Sequence, residues 1–357
     1  MDDFLIIGGG IAGLSAGARL SALGRVTLIE GEAHLGHHTS GRSAALYEPN
    51  YGQPPVVALS QASADFFHGA GDLLTPRGLL ILGGEGDEDA FAADVDALSL
   101  NRIAPEDALD KVPLLRRERL KMAAFHDRAW DIDTDLMMQR FARDIRAAGG
   151  KVVTKAEAQR ITRTSAGWQV GTKAGDFSGK VLVNAAGAWA DKVAVMAGIA
   201  PIGLQPYRRS MARVGAPDGQ DISRWPMLFG PGETWYAKPD AGCLLISPAD
   251  ETPVDPHDAW ADDMTLAEGI AGYESWVTMP VTRMIANWAG LRSFAPDRNL
   301  VIGPDPADPA FLWMAAQGGY GFQTAPAASQ LLADLAGGRD SELEAPIRTA
   351  LSPARFA

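Results

Sequence analysis

Gly8-Gly9-Gly10-Ile11-Ala12-Gly13 decides how the chain begins to fold. Ahead of it, Asp3 to Ile7 reads as a short buried strand. Behind it, Ile11 to Leu23 carries Ile11, Leu14, Ala18 and Leu20 at helical spacing, and Arg25 to Glu30 forms a second strand. The hexapeptide is therefore G-x-G-x-x-G at the turn of a parallel strand, helix, strand unit, the setting in which it holds a dinucleotide. Gly8 permits the tight turn, Gly10 leaves backbone bare for a pyrophosphate, and Gly13 lets helix and strand pack closely. The helix N-terminus adds unpaired N–H groups and about half a positive charge. Glu30, closing the second strand, is placed to accept hydrogen bonds from a ribose 2'-hydroxyl, which disfavours a 2'-phosphate. FAD and NAD both satisfy this pattern.

Working outward, 357 residues leave room for a second domain beside the nucleotide unit. Gly31 to Ala45 is a long Gly, Ser and His loop. Helices are expected over Pro54 to His68, Asp87 to Leu98 and Ile132 to Ala148, with a short strand at Leu79 to Leu82. Short strands alternate at Lys151 to Thr154, Gln159 to Thr164, Trp168 to Thr172 and Val181 to Val183. Leu204 to Pro248 has the strand and turn pattern of an antiparallel sheet, with strands at Thr234 to Ala237 and Cys243 to Ile246. The chain ends on strands at Trp288 to Arg292, Leu300 to Ile302 and Phe311 to Ala315, then a helix opened by Gly318-Gly319-Tyr320-Gly321. The expected fold is α/β, a doubly wound FAD-binding Rossmann-like domain with an interleaved antiparallel-sheet substrate domain. The cofactor domain is assigned 1–75, 131–200 and 288–357, and the substrate domain 76–130 and 201–287.

Composition closes off other classes. Hydrophobic residues make up 46% and charged residues 21%, and the net charge of −12 opposes wrapping nucleic acid or resting on anionic lipid. No apolar stretch of about 18 residues is available to span a membrane. The single cysteine, Cys243, forms no internal disulfide and suits a reducing compartment, so a cytoplasmic location is expected. No metal site is expected at His34, His37 and His38, because no Cys or acid completes a ligand set in the sequence.

Four segments in order carry a family likeness: Gly41-Arg42-Ser43-Ala44-Ala45, Asn184-Ala185-Ala186-Gly187-Ala188-Trp189, Trp288-Ala289-Gly290-Leu291-Arg292-Ser293 and Ala315-Ala316-Gln317-Gly318-Gly319-Tyr320-Gly321-Phe322-Gln323. They resemble the D-amino-acid oxidase and glycine oxidase family of flavin enzymes. Asp131-Ile132-Asp133-Thr134-Asp135, Gly203-Leu204-Gln205-Pro206, Arg208-Arg209-Ser210 and Lys238-Pro239-Asp240-Ala241-Gly242 extend the likeness toward the FAD-dependent D-arginine dehydrogenase type. The resemblance implies FAD as cofactor. Its contacts are implied at Gly8, Gly10, Ala12, Gly13, Glu30 and Gly31, then at Thr39, Ser40, Gly41, Arg42, Ser43, Ala44, Ala45 and Leu46. Further contacts are implied at Ala158, Ala186, Gly187 and Gly290, and at Gly318, Gly319, Tyr320, Gly321, Phe322 and Gln323.

The same resemblance implies a substrate carboxylate held by Arg209 and Arg292, with Tyr51 and Tyr236 as phenolic partners and Gly319 at the substrate. Arginine suits that task because its planar fork binds a carboxylate bidentately and stays charged. Fixing carboxylate and amine aims the α-hydrogen at the flavin, so positioning matters more than a dedicated base, and none is named. Strand alternation sends Arg208 and Arg209 to opposite faces, and Trp235 opposite to Tyr236. The start of the last helix is expected to stabilise charge on the reduced flavin.

Departures from the likeness bear on specificity. A Pro-Arg-Pro-Glu segment there supplies a glutamate for a basic side chain; here it is Pro76-Arg77-Gly78-Leu79, and Leu79 leaves a guanidinium unpaired. Leu46 stands where a near-flavin histidine is found. Glu48 replaces a small hydroxyl residue; it either meets a basic side chain or, as the commoner fate of a loop acid, is solvated. The expected reaction is oxidation of neutral, apolar D-amino acids to imino acids that hydrolyse to 2-oxo acid and ammonia. The alternative is a glycine or sarcosine type of amine oxidase. With no Cys or His at Leu46, FAD is expected to be noncovalent. The partner is a small amino-acid substrate, and oxygen, a quinone or a carrier remain open as electron acceptor.

Overall fold

The computed structural model describes residues 1–217 and 220–357. Strand β1 (Asp2–Ile7), helix α1 (Ile11–Leu20) and strand β2 (Val26–Ile29) form the expected opening unit. β1 pairs in parallel with β2 on one side and with strand Gly175–Asn184 on the other, and that strand pairs in parallel with Phe311–Ala315. Hairpin strands Arg160–Thr164 and Gly167–Thr172, together with Lys151–Val153 and Val301–Pro304, complete an eight-stranded sheet. β1 is apolar throughout because both its faces are covered. Phe4 and Ile6 meet α1 and helices Thr134–Ala147 and Gly321–Ala336, while Leu5 and Ile7 meet Trp168, Val170, Trp313 and helix Ala190–Met196. Asp133 starts the 134–147 helix by accepting the Leu136 N–H at 2.9 Å, as an acid at an N-cap does.

The second sheet has nine strands, antiparallel except where Met227–Phe229 runs parallel to Leu79–Gly83. Its longest pair is Gln205–Gly215 with Met284–Phe294. The strand expected at Trp288 to Arg292 is thus eleven residues long, crosses the boundary expected at 287/288, and by its pairing lies in the substrate-side sheet. The strand expected from Thr234 starts instead at Tyr236, because Pro231–Glu233 forms a helical turn with Gly232 and Glu233 at positive φ. Pro54 to His68 divides at Ser63 into two helices.

Alternation along these strands gives the sheet two characters. Its outer face, with Trp235, Leu244 and Ile246, packs under helix Asp263–Glu274 through Leu266 and Tyr273. The inner face, with Leu79, Met211, Met227, Phe229 and Tyr236, looks toward the loop after β2. A small ribbon links the sheets: Leu46–Tyr47 and Leu74–Pro76 flank Trp130–Ile132. Within it a buried ion network forms. Asp131 accepts from Arg77 Nε and Nη2 at 2.8 and 2.6 Å and from Lys238 Nζ at 2.8 Å, and Lys238 also donates to the Ala44 carbonyl at 2.6 Å. No described helix is long and apolar enough to cross a membrane.

Candidate active site

A cleft runs from the start of α1 to the inner face of the second sheet, with an empty volume of about 1410 Å³ when its open mouth is included. At one end the glycines do what their spacing requires. Gly8 has φ +115°, and a Cβ there would lie 2.3 Å from the Ala185 carbonyl oxygen; a Cβ on Gly13 would lie 1.9 Å from the Gly8 oxygen. Gly10, Ile11 and Ala12 line the cleft, and Ser40 Oγ accepts the Ile11 N–H at 3.0 Å. Glu30 folds its carboxylate onto the backbone, Oε2 accepting from Gly9 N at 2.6 Å and Oε1 from Glu32 N at 2.8 Å. A carboxylate has about four lone-pair sites, so two of these remain for hydroxyl donors. Gly31 sits beside it against Glu157, and Ala158 packs at the edge of the core on that side of the sheet.

Thr39, Ser40, Arg42, Ser43, Ala44, Ala45 and Leu46 form the next stretch of wall, with Gly187 and Gly290 opposite. Gly41 takes its place through an N–H bond to the Gly36 carbonyl at 2.7 Å. The Arg42 guanidinium is engaged elsewhere: it donates to the Ala259 and Ala289 carbonyls at 2.9 and 3.0 Å and pairs with Asp258. It ties the loop to the long strand. Ala186 follows Ala185 outside the wall proper, held by its N–H on Asn184 Oδ1 at 3.3 Å.

At the other end Arg209 and Arg292 converge. Arg209 stands opposite Gly290 in the strand pair and Arg292 opposite Tyr207, so the two arginines are diagonal neighbours on one face and both line the cleft. Arg208 points to the other face, where it meets Asp250. Gly319 makes room for Arg292, since a Cβ there would lie 2.8 Å from the guanidinium carbon. Tyr51 and Tyr236 line the same end. Burial raises the Tyr51 phenol above its ordinary pKa, with Glu233 adding to the shift and Arg292 opposing it. For Arg292 burial opposes the charge, but Tyr51, Tyr236 and Glu233 outweigh it and raise its pKa.

Glu233 was not legible in the sequence. It accepts the Tyr51 hydroxyl at 3.2 Å, and burial raises its pKa against the pull of Arg292, the Tyr51 bond and Arg209. Its φ of +53° is strained for a side chain of this kind. The only local signal was the Pro231-Gly232 turn just before Tyr236.

Glu48 differs from the expected solvated acid. It is 3% exposed, lines the cleft, and has its Oε2 3.0 Å from Nε2 of His126, itself 2% exposed. The reason is tertiary: strand Met122–His126 pairs with Leu79–Gly83 and sets His126 opposite Leu79, on the face that meets the Glu48 loop. Gln323 brackets that loop, accepting the Glu48 N–H at 3.3 Å and donating to the Tyr51 carbonyl at 3.2 Å. Leu46 and Leu79 supply apolar wall.

Gly318, Gly319, Gly321, Phe322 and Gln323 line the cleft at the start of the last long helix, which begins at Gly321; the Tyr320 N–H is taken by the Gln317 carbonyl at 2.9 Å. The acid missing from the histidine cluster is Glu32, brought to His38 Nε2 at 3.1 Å with His37 alongside. Asp258 completes a net around it, but it also carries the Arg42 guanidinium, a poor neighbour for a metal ion. Cys243 lies in the second sheet opposite Gly215, outside the cleft wall.

Several cleft-lining groups are buried without a partner among the described residues: both ends of the Gln317 amide, Ser293 Oγ and Arg209 Nε. With the bare glycine backbone at the far end, they suit a long polar cofactor that supplies the missing hydrogen bonds. A nucleotide cradle opening into an arginine-walled cleft at the carboxyl ends of parallel strands defines a dinucleotide-dependent oxidoreductase. The family model described as FAD dependent oxidoreductase (DAO) matches residues 3–335, and the chain belongs to that family. Its cofactor is FAD.

Among curated relatives, the chain is 27% identical to a glycine oxidase of Pseudomonas aeruginosa, over 94% of this chain and 95% of that one. Among solved structures it is similar to L-proline dehydrogenase from P. horikoshii, with a TM-score of 0.85, 22% identity and coverage of 99% and 97%. It is also similar to the FAD-bound L-alpha-glycerophosphate oxidase from Mycoplasma pneumoniae, with a TM-score of 0.84, 19% identity and coverage of 94% of each chain. One fold thus serves an amino acid in one neighbour and a phosphorylated alcohol in another, so the substrate must be argued from side chains.

Proposed function

We propose that this enzyme oxidises D-amino acids with neutral, apolar side chains to imino acids, which water then hydrolyses to 2-oxo acid and ammonia. The observation that carries this reading is the convergence of Arg209 and Arg292 with Tyr51 and Tyr236 at the end of the cofactor cleft. Two guanidinium groups and two phenols make a binding site for a carboxylate that keeps its charge at every working pH. Bound FAD, held without a covalent link, supplies the two-electron acceptor. To reach a C=N bond the substrate must give up its α-hydrogen with the bonding electron pair and a proton from the amine, a two-electron loss that the bound cofactor would accept. The protein's part is to hold the carboxylate, orient the α-carbon and keep an apolar wall of Leu46, Leu79, Met211, Met227 and Phe229 around the side chain. The D configuration rests on the sequence resemblance, and a cytoplasmic location on the single free cysteine.

The similarity to a glycine oxidase supports a second reading, oxidation of glycine or an N-methylated amine by the same clamp. Anaerobic loss of the oxidised flavin's visible absorbance separates the two. The panel is neutral and basic D-amino acids, their L enantiomers, glycine, sarcosine and 2-hydroxy acids. Fast bleaching by apolar D-amino acids is the expected result. Bleaching by glycine or sarcosine alone would establish the second reading, and bleaching by none of the amines would refute both.

A further inference from the structure

The carboxylate and the ammonium of an amino acid sit on one carbon, so a site for the zwitterion must set a negative group close to its positive clamp. Arg209, Arg292 and the two tyrosines account for the carboxylate and leave the ammonium without a receptor. Glu233 is the carboxylate beside them. It lines the same end of the cleft, and of the charges acting on it Arg292 is the strongest, ahead of Arg209. Tyr51 bears on both groups, its hydroxyl donating to Glu233 Oε2 at 3.2 Å and its phenol supporting the charge of Arg292. That is the one hydrogen bond the Glu233 carboxylate accepts among the described residues, so most of its roughly four lone-pair sites stay free for a donor in the cleft. The backbone is shaped to deliver this group. Gly232 and Glu233 both adopt positive φ, +62° and +53°, in the turn before the Tyr236 strand. Asp94 holds the Gly232 N–H at 2.8 Å, and the Gly230 carbonyl holds the Glu233 N–H at 3.1 Å. A costly conformation pinned at two successive amides is characteristic of a working side chain.

We infer that Glu233 receives the substrate's ammonium group and takes its proton, freeing the nitrogen lone pair to form the C=N bond. The inference rests on the amine-oxidising reading of the same cleft and is indifferent to the handedness of the substrate. In this step one N–H bond breaks and one O–H bond forms on the Glu233 carboxylate, with no change of oxidation state. The two electrons leave afterwards with the α-hydrogen. The titratable and charged groups that face Glu233 are Tyr51, Arg292, Arg209, Asp94 behind the turn, and the Tyr320 phenol. Burial raises its pKa against the pull of the two arginines, which brings the carboxylate nearer to the range where a base can both take and return a proton at working pH. The other carboxylate of the wall, Glu48, has Oε1 on the Asn50 N–H at 3.1 Å and Oε2 facing His126, and it provides the comparison.

The test is the pH dependence of anaerobic flavin reduction at saturating substrate in wild type, Glu233→Gln, Glu233→Asp and Glu48→Gln. The substrate is whichever amine of the panel above reduces the wild type fastest. In wild type the rate should climb with pH as Glu233 ionises and then level off. Glu233→Gln should lose that limb, running about a hundredfold slower near neutral pH, the scale of a lost proton acceptor, and recovering at high pH as the amine ionises by itself. Its inhibition constant for the same acid lacking the amine should stay within about twofold of wild type, because the clamp is intact. A rate lowered equally at every pH, or an unaltered profile, would reduce Glu233 to a support for Tyr51 and overturn the inference. So would a limb that disappears in Glu48→Gln instead. Should Glu233→Gln fail to hold flavin, Glu233→Asp decides, since aspartate tolerates the left-handed turn better. A limb retained there supports a carboxylate base, and a limb lost there overturns it. A wild type reduced by no amine refutes the amine-oxidising reading and the inference with it, whereas an unaltered profile in Glu233→Gln beside an active wild type refutes the inference alone.

Discussion

The glycine cradle and the substrate wall lie at opposite ends of one cleft and are held in shape by opposite means. The cradle is all backbone: Gly8 and Gly13 bring main-chain atoms so close that no Cβ fits, and two of its amide groups are closed by Glu30 and Ser40. The wall is all side chain: Arg209 with Glu251 and Tyr51 with Glu233 pair across distant segments, and the buried Glu48 and His126 face each other 3.0 Å apart. A steric constraint fails abruptly when one atom is added. A web of polar pairs fails by degrees, one partner at a time.

That contrast orders the expected damage. Gly13→Val should have the largest effect, because its first carbon already collides with the Gly8 oxygen; flavin retained per protein after gel filtration is expected to fall to near zero. Arg292→Ala should leave flavin content intact but lower kcat/KM for the preferred amino acid by roughly a thousandfold, the scale of losing one half of a buried charged clamp of about 4 kcal/mol. A loss of flavin instead would show that the wall and the cradle are less separable than the geometry indicates. Glu233→Gln should have the smallest and most informative effect. Burial raises the Glu233 pKa in the folded chain, so between the ordinary glutamate value and the raised one the folded state binds more protons. The residue therefore costs stability as pH rises through that window, and the cost persists above it. The variant should melt slightly higher than wild type at neutral pH, with the difference vanishing in acid below the ordinary glutamate value.

The same contrast explains what the sequence disclosed. Cradle and sheet were legible because their requirements are local: three glycines, a continuous apolar strand and an acid at a fixed distance specify them within thirty residues. Strand alternation likewise sent Arg208 and Arg209 to opposite faces, but it was the family resemblance that chose Arg209 as the one to join Arg292, and the strand register puts those two on one face. Glu48 read as a loop acid because nothing near it in sequence announces His126, seventy-eight positions on. Glu233 stayed hidden because its role depends on a strained turn that carries it to Tyr51. Glu32 joined the two histidines only once the loop after β2 had folded back. Each omission is a pairing of side chains across the fold, which periodicity and propensity do not register.

Gln323 couples the two ends of the cleft. Its helix starts at the cofactor end of the cleft, yet its amide grips both Glu48 and Tyr51 of the substrate wall. The two bonds of that one side chain therefore tie the position of the substrate loop to the start of the helix that lines the cofactor end of the cleft. A substitution at Gln323 is thus expected to be felt at both ends of the cleft at once.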